Sequence, residues 1–299
     1  MKKHYGNVVL VTGASSGIGK SCAEYLAGMG FKVYGTSRKA PDPHEAAARE
    51  TAGNGTGTAP DGDAGRAVNG CESNAVTMIR MDVCSEESVK AAVDHIIGRE
   101  GGIGILINNA GMGIAGSVED TSTDEAMLQF DTNFFGMHRV IRHVLPHMRK
   151  KGKGLIINIS SVGALFPIPY QSMYVASKAA VELMSGSLRN ELRQFGIRVC
   201  VVEPGDTKTG FTGNRLFVKA GGEGSAYYRK SRESIAVMEK DEMNGPDPIV
   251  VAKAVARATG RKNPPAFITV GLGYKLLVFL KRFVPRSLES FVVGKMYKC

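Results

Sequence analysis

The segment "SMYVASKAAVE", residues 172–182, places Tyr174 and Lys178 four residues apart within a helical pattern. Residues at that spacing lie one turn apart on the same helical face. A free phenol, with a pKa of about 10, is a poor acid or base at neutral pH. A cation held beside it favours the phenolate and lowers that value. The pair therefore has the make-up of a tuned proton donor, although an exposed helical pair without chemistry would share the spacing. A second candidate is "VVLVTGASSGIGKS", where Gly13, Gly17 and Gly19 fall between an apolar run and a helical pattern. Glycines at such a junction allow a tight turn and bring free N–H groups and the positive end of a helix against a phosphate. The spacing is GxxxGxG rather than the commoner GxGxxG, but the physical requirement is similar.

The end of the next apolar run, "VYGTSRKAP", offers Ser37, Arg38 and Lys39, with no acid before Asp42. A carboxylate near this point would take the ribose 2′-hydroxyl of NAD, whereas a guanidinium grips a 2′-phosphate. These residues predict NADP(H). Asp82 and Val83 in "RMDVC", and Asn108 and Asn109 in "ILINNAGMG", stand at the ends of two further apolar runs. Ligands bind at such carboxyl ends in open α/β sheets.

The elements that must position these residues follow from periodicity. Short Val- and Ile-rich runs at 8–12, 32–36, 76–81, 103–108, 154–160 and 197–203 read as buried strands. Between most of them lie amphipathic stretches of helical period. One runs from Gly17 to about Met29. Another follows Ser85, an N-cap with Glu86 and Glu87 in the first turn. A third spans Thr123 to Lys150, with Pro146 as the expected point of a kink, and a fourth carries Tyr174 and Lys178. Alternation of this kind predicts an α/β fold, a Rossmann-like doubly wound parallel sheet with helices on both faces. Residues 40–75 are rich in Gly, Ala, Asp and Pro and read as a flexible surface insertion rather than a domain boundary.

Taken together, "TGASSGIG" (12–19), "DV" (82–83), "NNAG" (108–111), Asn133 in "DTNFFG", "NISS" (158–161), "YVASK" (174–178) and "PG" (204–205) resemble the classical short-chain dehydrogenase/reductase family. The motifs occur in family order over roughly residues 6–210. The resemblance implies a catalytic set of Asn133, Ser161, Tyr174 and Lys178. The family's serine lies 13 residues before its tyrosine, which selects Ser161 over the adjacent Ser160. It further implies a nicotinamide cofactor held by Gly13, Ser15, Ser16, Gly17, Ile18 and Gly19; by Ser37, Arg38, Asp82 and Val83; by Asn108, Ala110 and Gly111; by Tyr174 and Lys178; and by Pro204, Gly205, Thr207 and Thr209. In the implied mechanism Ser161 donates a hydrogen bond to the carbonyl oxygen and Tyr174 delivers the proton. Lys178 lowers the tyrosine pKa and holds the nicotinamide ribose, and Asn133 anchors a water linking Lys178 to solvent. Many family members pair subunits through the helix bearing YxxxK, so a homodimer or homotetramer is expected.

Residues 1–260 are thus read as one catalytic domain, 206–245 as a substrate loop or lid, and 261–299 as a basic amphipathic extension. Leu165, Phe166, Pro167 and Ile168, with Met112 and Phe211, suggest a lipophilic carbonyl or alcohol substrate, although core packing would use the same residues. Tyr227 and Tyr228 could serve a pocket or a surface helix. The net charge is +10, and the span from Arg261 to Cys299 holds eight Lys or Arg against the single acid Glu289. Charge concentrated in this way marks a local feature of the tail, and not a nucleic-acid-binding surface. The tail reads as two short helices broken at Pro285, with Leu288, Phe291 and Val292 on one face and Lys295 beyond. That face suits a pocket cover, a subunit interface or an anionic membrane. Five scattered cysteines without CxxC spacing predict neither a disulfide framework nor a metal site. The four-residue apolar run at Val8–Val11 is too short for a signal-peptide core, so a cytoplasmic setting is expected. Two rival readings are a non-catalytic NADP-binding sensor on the same fold and an extended-type sugar-nucleotide epimerase. The intact Tyr–Lys pair speaks against the first, the glycine spacing against the second.

Overall fold

The computed structural model describes residues 2–42 and 75–299. The insertion expected over 40–75 lies, apart from its ends, outside the described residues. Strands β1 (Val8–Val11), β2 (Lys32–Ser37), β3 (Thr77–Arg80), β4 (Ile105–Asn108), β6 (Gly154–Ile159), β7 (Ile197–Glu203) and β9 (Phe267–Thr269) form one parallel sheet in the order β3-β2-β1-β4-β6-β7-β9. The order reverses at β1, so the crevice for a ligand opens beyond the carboxyl ends of β1 and β4.

Alternate strand residues feed two cores. Val9, Val11, Val33 and Ile107 face helices α1 (Gly17–Gly28) and α7 (Ile249–Thr259). Leu10, Ile79, Leu106 and Ile156 face α2 (Glu86–Glu100), α4 (Gly136–Lys150) and α5 (Ser172–Leu192). Side chains that alternate in direction while both faces are buried explain the unbroken apolar runs. Burial of each such Val, Ile or Leu contributes roughly 1.5–3 kcal/mol. Ser85 caps α2 as expected, accepting from the Ser88 N–H, and Gly101 ends the helix in the left-handed region at φ 69°.

Three differences from the sequence reading bear on the site. The helical stretch from Thr123 runs on past Pro146, which lies inside α4. It is interrupted earlier, between α3 (Thr123–Phe130) and α4, by a wide turn over Asp131–Phe135 in which the Gly136 N–H bonds to the Asp131 carbonyl. Such an i→i+5 turn swings the side chain it carries out of helical register, and here it carries Asn133. The 206–245 segment is more than a polar loop. Strand β8 (Leu216–Phe217) pairs in parallel with β5 (Ile114–Ala115), and α6 (Tyr228–Asn244) follows. The tail does form two helices around Pro285, α8 (Leu272–Lys281) and α9 (Arg286–Met296).

Candidate active site

The glycine turn is built around Thr12 and Asn109. The Thr12 hydroxyl oxygen accepts from the N–H groups of Asn109 and Ala110, both at 2.9 Å. The Asn109 amide donates to the carbonyls of Thr12 (3.0 Å) and Gly13 (3.1 Å). These bonds weld the end of β1 to the end of β4. Gly13 stands at φ +64°, and a methyl there would lie 2.9 Å from the Ala110 Cα; one at Gly19 would lie 2.2 Å from the Gly13 carbonyl oxygen. Both glycines are therefore required by contact. Gly17 (φ +55°) faces Thr209, whose Cβ would be 3.3 Å from an added methyl, so the loop after β7 reaches back to the turn. Asn109 stands, as expected, at a strand end of the ligand-binding kind, whereas Thr12 is noted above only as part of the quoted motif.

The start of α1 suits an anion. Ser16 at its N-cap makes no side-chain cap bond and the first turn holds no acid. In contrast, α2 and α3 each have a serine cap and two acids in the first turn. Uncapped N–H groups at a helix start, next to a glycine turn, fit a pyrophosphate. Ser15 and Ser16 are exposed, and Gly17 and Ile18 half-buried, around that point. Arg38 is exposed just past β2, and among the described residues no carboxylate pairs with it; Ser37 accepts from the Lys39 N–H at 3.3 Å. Asp82 turns inward on its own loop, accepting from the Cys84 N–H at 3.0 Å, and Val83 packs where a methyl at Gly136 would fall. The Asn108 side chain is committed to the sheet: it is buried and donates to Asn158 at 2.9 Å, which leaves its backbone as the part available to a ligand.

The four candidate catalytic residues converge beyond β4 and β6. Asn133 is fully buried; its Oδ1 accepts from the Met112 N–H at 2.8 Å and its amide donates to the Met112 carbonyl (3.0 Å) and the Ser177 hydroxyl (3.1 Å). Its side chain thus fixes the strand-end loop to α5. A methyl at Gly111 would lie 3.2 Å from the Asn133 Oδ1 and 3.7 Å from the Lys178 Nζ. Lys178 donates to the Ile159 carbonyl at 2.9 Å and sits 5.9 Å from the centroid of the Tyr174 ring. Ser161 is half-buried at the start of a short turn over Val162–Leu165, accepts from the Gly163 N–H at 3.0 Å, and acts to lower the Tyr174 pKa. Ser160 points the other way, donating to Glu182 Oε1 at 2.9 Å inside the protein. The two adjacent serines are separated because consecutive residues leaving a strand face opposite sides.

The electrostatics correct one expectation. The net shift of the Tyr174 pKa is upward, against the lowering expected from Lys178. Burial pushes the phenol up to about 12, opposed by the Ser161 hydrogen bond and Arg215 and reinforced by Glu242 and Asp206. Burial also brings Lys178 down to about 8, with Glu182 pulling it upward. Desolvation of both groups outweighs their mutual influence. Glu182, one turn past Lys178 on α5, is itself raised to about 7 by burial.

The loop after β7 closes the far side. Pro204 accepts from the Val162 N–H at 2.9 Å, and Thr207 donates to the Gly205 carbonyl at 2.9 Å. Phe211 lies 5.6 Å from the Tyr174 ring, centroid to centroid, and Thr209 accepts from its N–H at 3.2 Å. The loop is clamped by buried Arg215, which pairs with Glu242 and, at 3.6 Å, Glu239, both on α6. Leu165, Phe166 and Ile168 are half-buried between Ser161 and Tyr174, and Pro167 is exposed. Tyr227 is on the surface, donating to Glu119 at 2.7 Å. Tyr274 of α8 bonds both the N–H (3.1 Å) and the carboxyl of Asp206, and its ring fills the space a side chain at Gly205 would need. Nothing around Tyr274 in the sequence marks it as a site neighbour.

A family model described as short chain dehydrogenase matches residues 7–63 and 61–216. The chain is 39% identical over 291 residues to 3-ketodihydrosphingosine reductase of Bacteroides thetaiotaomicron, covering 97% of each chain. It is 34% identical over 284 residues to retinol dehydrogenase 8 of Bos taurus, covering 93% of this chain and 85% of that one. A crystal structure of a short-chain dehydrogenase from Streptomyces avermitilis superposes with a TM-score of 0.74 at 29% identity, covering 93% of both chains.

Proposed function

The chain belongs to the short-chain dehydrogenase/reductase family and is an oxidoreductase acting on carbonyl and CH–OH groups, and from that premise we propose that it is an NADP(H)-dependent reductase of a lipophilic ketone. The observation that carries this reading is the position of Asn133 and Lys178 beside the strand-end loop at Gly111, with the Tyr174 ring 5.9 Å from the Lys178 ammonium and 5.6 Å from the ring of Phe211. The glycine turn and the open start of α1 would hold the cofactor's pyrophosphate, and Arg38 its 2′-phosphate. When bound, the nicotinamide supplies hydride to the carbonyl carbon. Ser161 then donates a hydrogen bond to the oxygen that gains charge, and Tyr174 transfers its proton to that oxygen. With a pKa of about 12 the phenol is fully protonated at neutral pH, the state that reduction requires of a proton donor. Lys178, still largely an ammonium at neutral pH, stabilises the phenolate left behind.

Half-buried Leu165, Phe166 and Ile168 beside the serine support an apolar substrate, as does the similarity to a 3-ketodihydrosphingosine reductase and a retinol dehydrogenase. The substrate class is therefore a long-chain or polyene carbonyl. The test is NADPH oxidation with a panel of long-chain ketones and aldehydes, in parent protein and Tyr174→Phe. Loss of turnover by about 10²–10⁴-fold with cofactor binding retained is the expected result. Near-parental turnover in that variant removes Tyr174 from the mechanism. We also read α5 as a pairing face: Leu183 is 78% exposed midway along it. Leu183→Lys should convert an oligomer to monomer in light scattering, and an unchanged mass would end that reading.

A further inference from the structure

Helices α8 and α9 have an inner and an outer face of different character. The inner face is tied to the site. Besides the Tyr274 contacts with Asp206, Lys281 lies 4.9 Å over the ring of Phe166 and pairs with buried Glu289, and the Lys298 carbonyl accepts from Lys230 of α6 at 3.1 Å. Val293 is buried. The tail is therefore docked, and its exposed side is not the consequence of a detached segment.

The outer face is apolar. Leu272, Leu276, Phe279 and Phe283 follow one another at spacings of four, three and four, a single stripe along and just past α8. On α9, Phe291 and Val292 are exposed as well. Leu272 is 84% exposed, Phe283 72% and Phe291 62%. Leu288 and Val292 are likewise half exposed, while the tail side chain that reaches the Asp206 loop is Tyr274. Large apolar side chains grouped in this way mark an interaction surface. Around them stand exposed Lys275, Arg282, Arg286, Lys295 and Lys298, and the tail's one acid is buried against Lys281.

We propose that this face docks on an anionic lipid bilayer. The charge pattern selects that occupant over a second copy of the chain. Two such faces brought together would set unpaired cations against one another. A bilayer surface supplies hydrocarbon for the leucines and phenylalanines and anionic headgroups for the surrounding lysines and arginines. Among the described residues no helix is long and apolar enough to cross a membrane, and two short helices suit a seat in the interface. Docking would set Phe166 and the loop at Asp206, which the inner face touches, close to the bilayer surface. That consequence rests on the proposed lipophilic substrate, whereas docking itself does not.

The test is flotation of the full chain with vesicles of phosphatidylcholine alone or mixed with phosphatidylglycerol, at low and high salt. The protein should float with the mixed vesicles at low salt, and partition should fall on adding salt. Lys275→Glu/Arg282→Glu/Arg286→Glu should weaken partition at least on the order of 100-fold, as three basic side chains lose their attraction to the surface. Leu272→Ser/Phe283→Ser/Phe291→Ser should abolish it. Should either variant misfold, hydrogen exchange on the parent chain decides: amides of residues 272–296 should be protected when mixed vesicles are added. Three outcomes overturn the proposal: no flotation at low salt, no protection of those amides, or a parental dimer that the apolar variant dissociates.

Discussion

Replacing Glu182 with Gln removes a carboxyl that is 9% exposed and lies one turn past Lys178. Burial raises its pKa from 4.5 to about 7; the Ser160 hydrogen bond and Lys178 pull downward, and Glu203 pushes upward. The sign of the pH dependence follows from which state holds the proton. Below 4.5 both the folded and the unfolded chain carry it. Between 4.5 and about 7 only the folded chain keeps it, so stability falls as pH rises through that window and stays low above it. A shift of that size corresponds to roughly 3 kcal/mol at about 1.4 kcal/mol per unit. Residual solvent contact, and the attraction for Lys178 that the substitution also removes, reduce this to roughly 1–2 kcal/mol. Glu182→Gln should therefore match the parent in mild acid and exceed it by about 1–2 kcal/mol near pH 8. Urea unfolding at the two pH values, with equal m-values required, reads this directly. A variant no more stable than the parent at the higher pH would refute the argument that burial governs this carboxyl.

Two further outcomes follow from the site. Arg38→Asp should shift preference from NADPH toward NADH, since a carboxylate repels a 2′-phosphate and accepts from a ribose hydroxyl; an unchanged ratio of kcat/KM for the two cofactors would remove Arg38 from recognition. Lys178, brought down to about 8, should lose its proton as pH rises past that value. The kcat/KM for reduction should then decline in the same range, a pH–rate profile being the check and a flat profile through pH 10 the contrary result.

Much of this was readable in the chain. The central strands declare themselves because both faces of a parallel sheet are buried, which leaves continuous apolar runs such as "VVLV" and "LII". Strands β5 and β8, two residues each, and β9, three, carry too few side chains for any period to show. The family resemblance named Ser161, Tyr174 and Lys178 together, but the protonation of the tyrosine could not be read from the sequence. Its pKa depends on how deeply the phenol is buried and which charges reach it, and both are set by neighbours remote in sequence, such as Phe211 and Arg215. Glu182 illustrates the same limit. In the sequence it is one more charge on a helix, and only the strand end carrying Ser160 makes it a buried acid. Tyr274 escapes notice because its partner, Asp206, is 68 residues away.

The raised phenol changes how Lys178 should be understood. A cation that fully ionised Tyr174 in the resting protein would present a phenolate, which has no proton to give to a reduced carbonyl. Here burial keeps the proton on the tyrosine and also places the ammonium where solvent cannot screen it. The ammonium then gains most when the phenol has lost its proton, at the moment charge appears beside it. Stabilisation confined to that moment accelerates the step, whereas stabilisation already present in the resting state does not. In the reaction we propose, the same desolvation that raises the tyrosine pKa is what makes the neighbouring lysine useful to reduction.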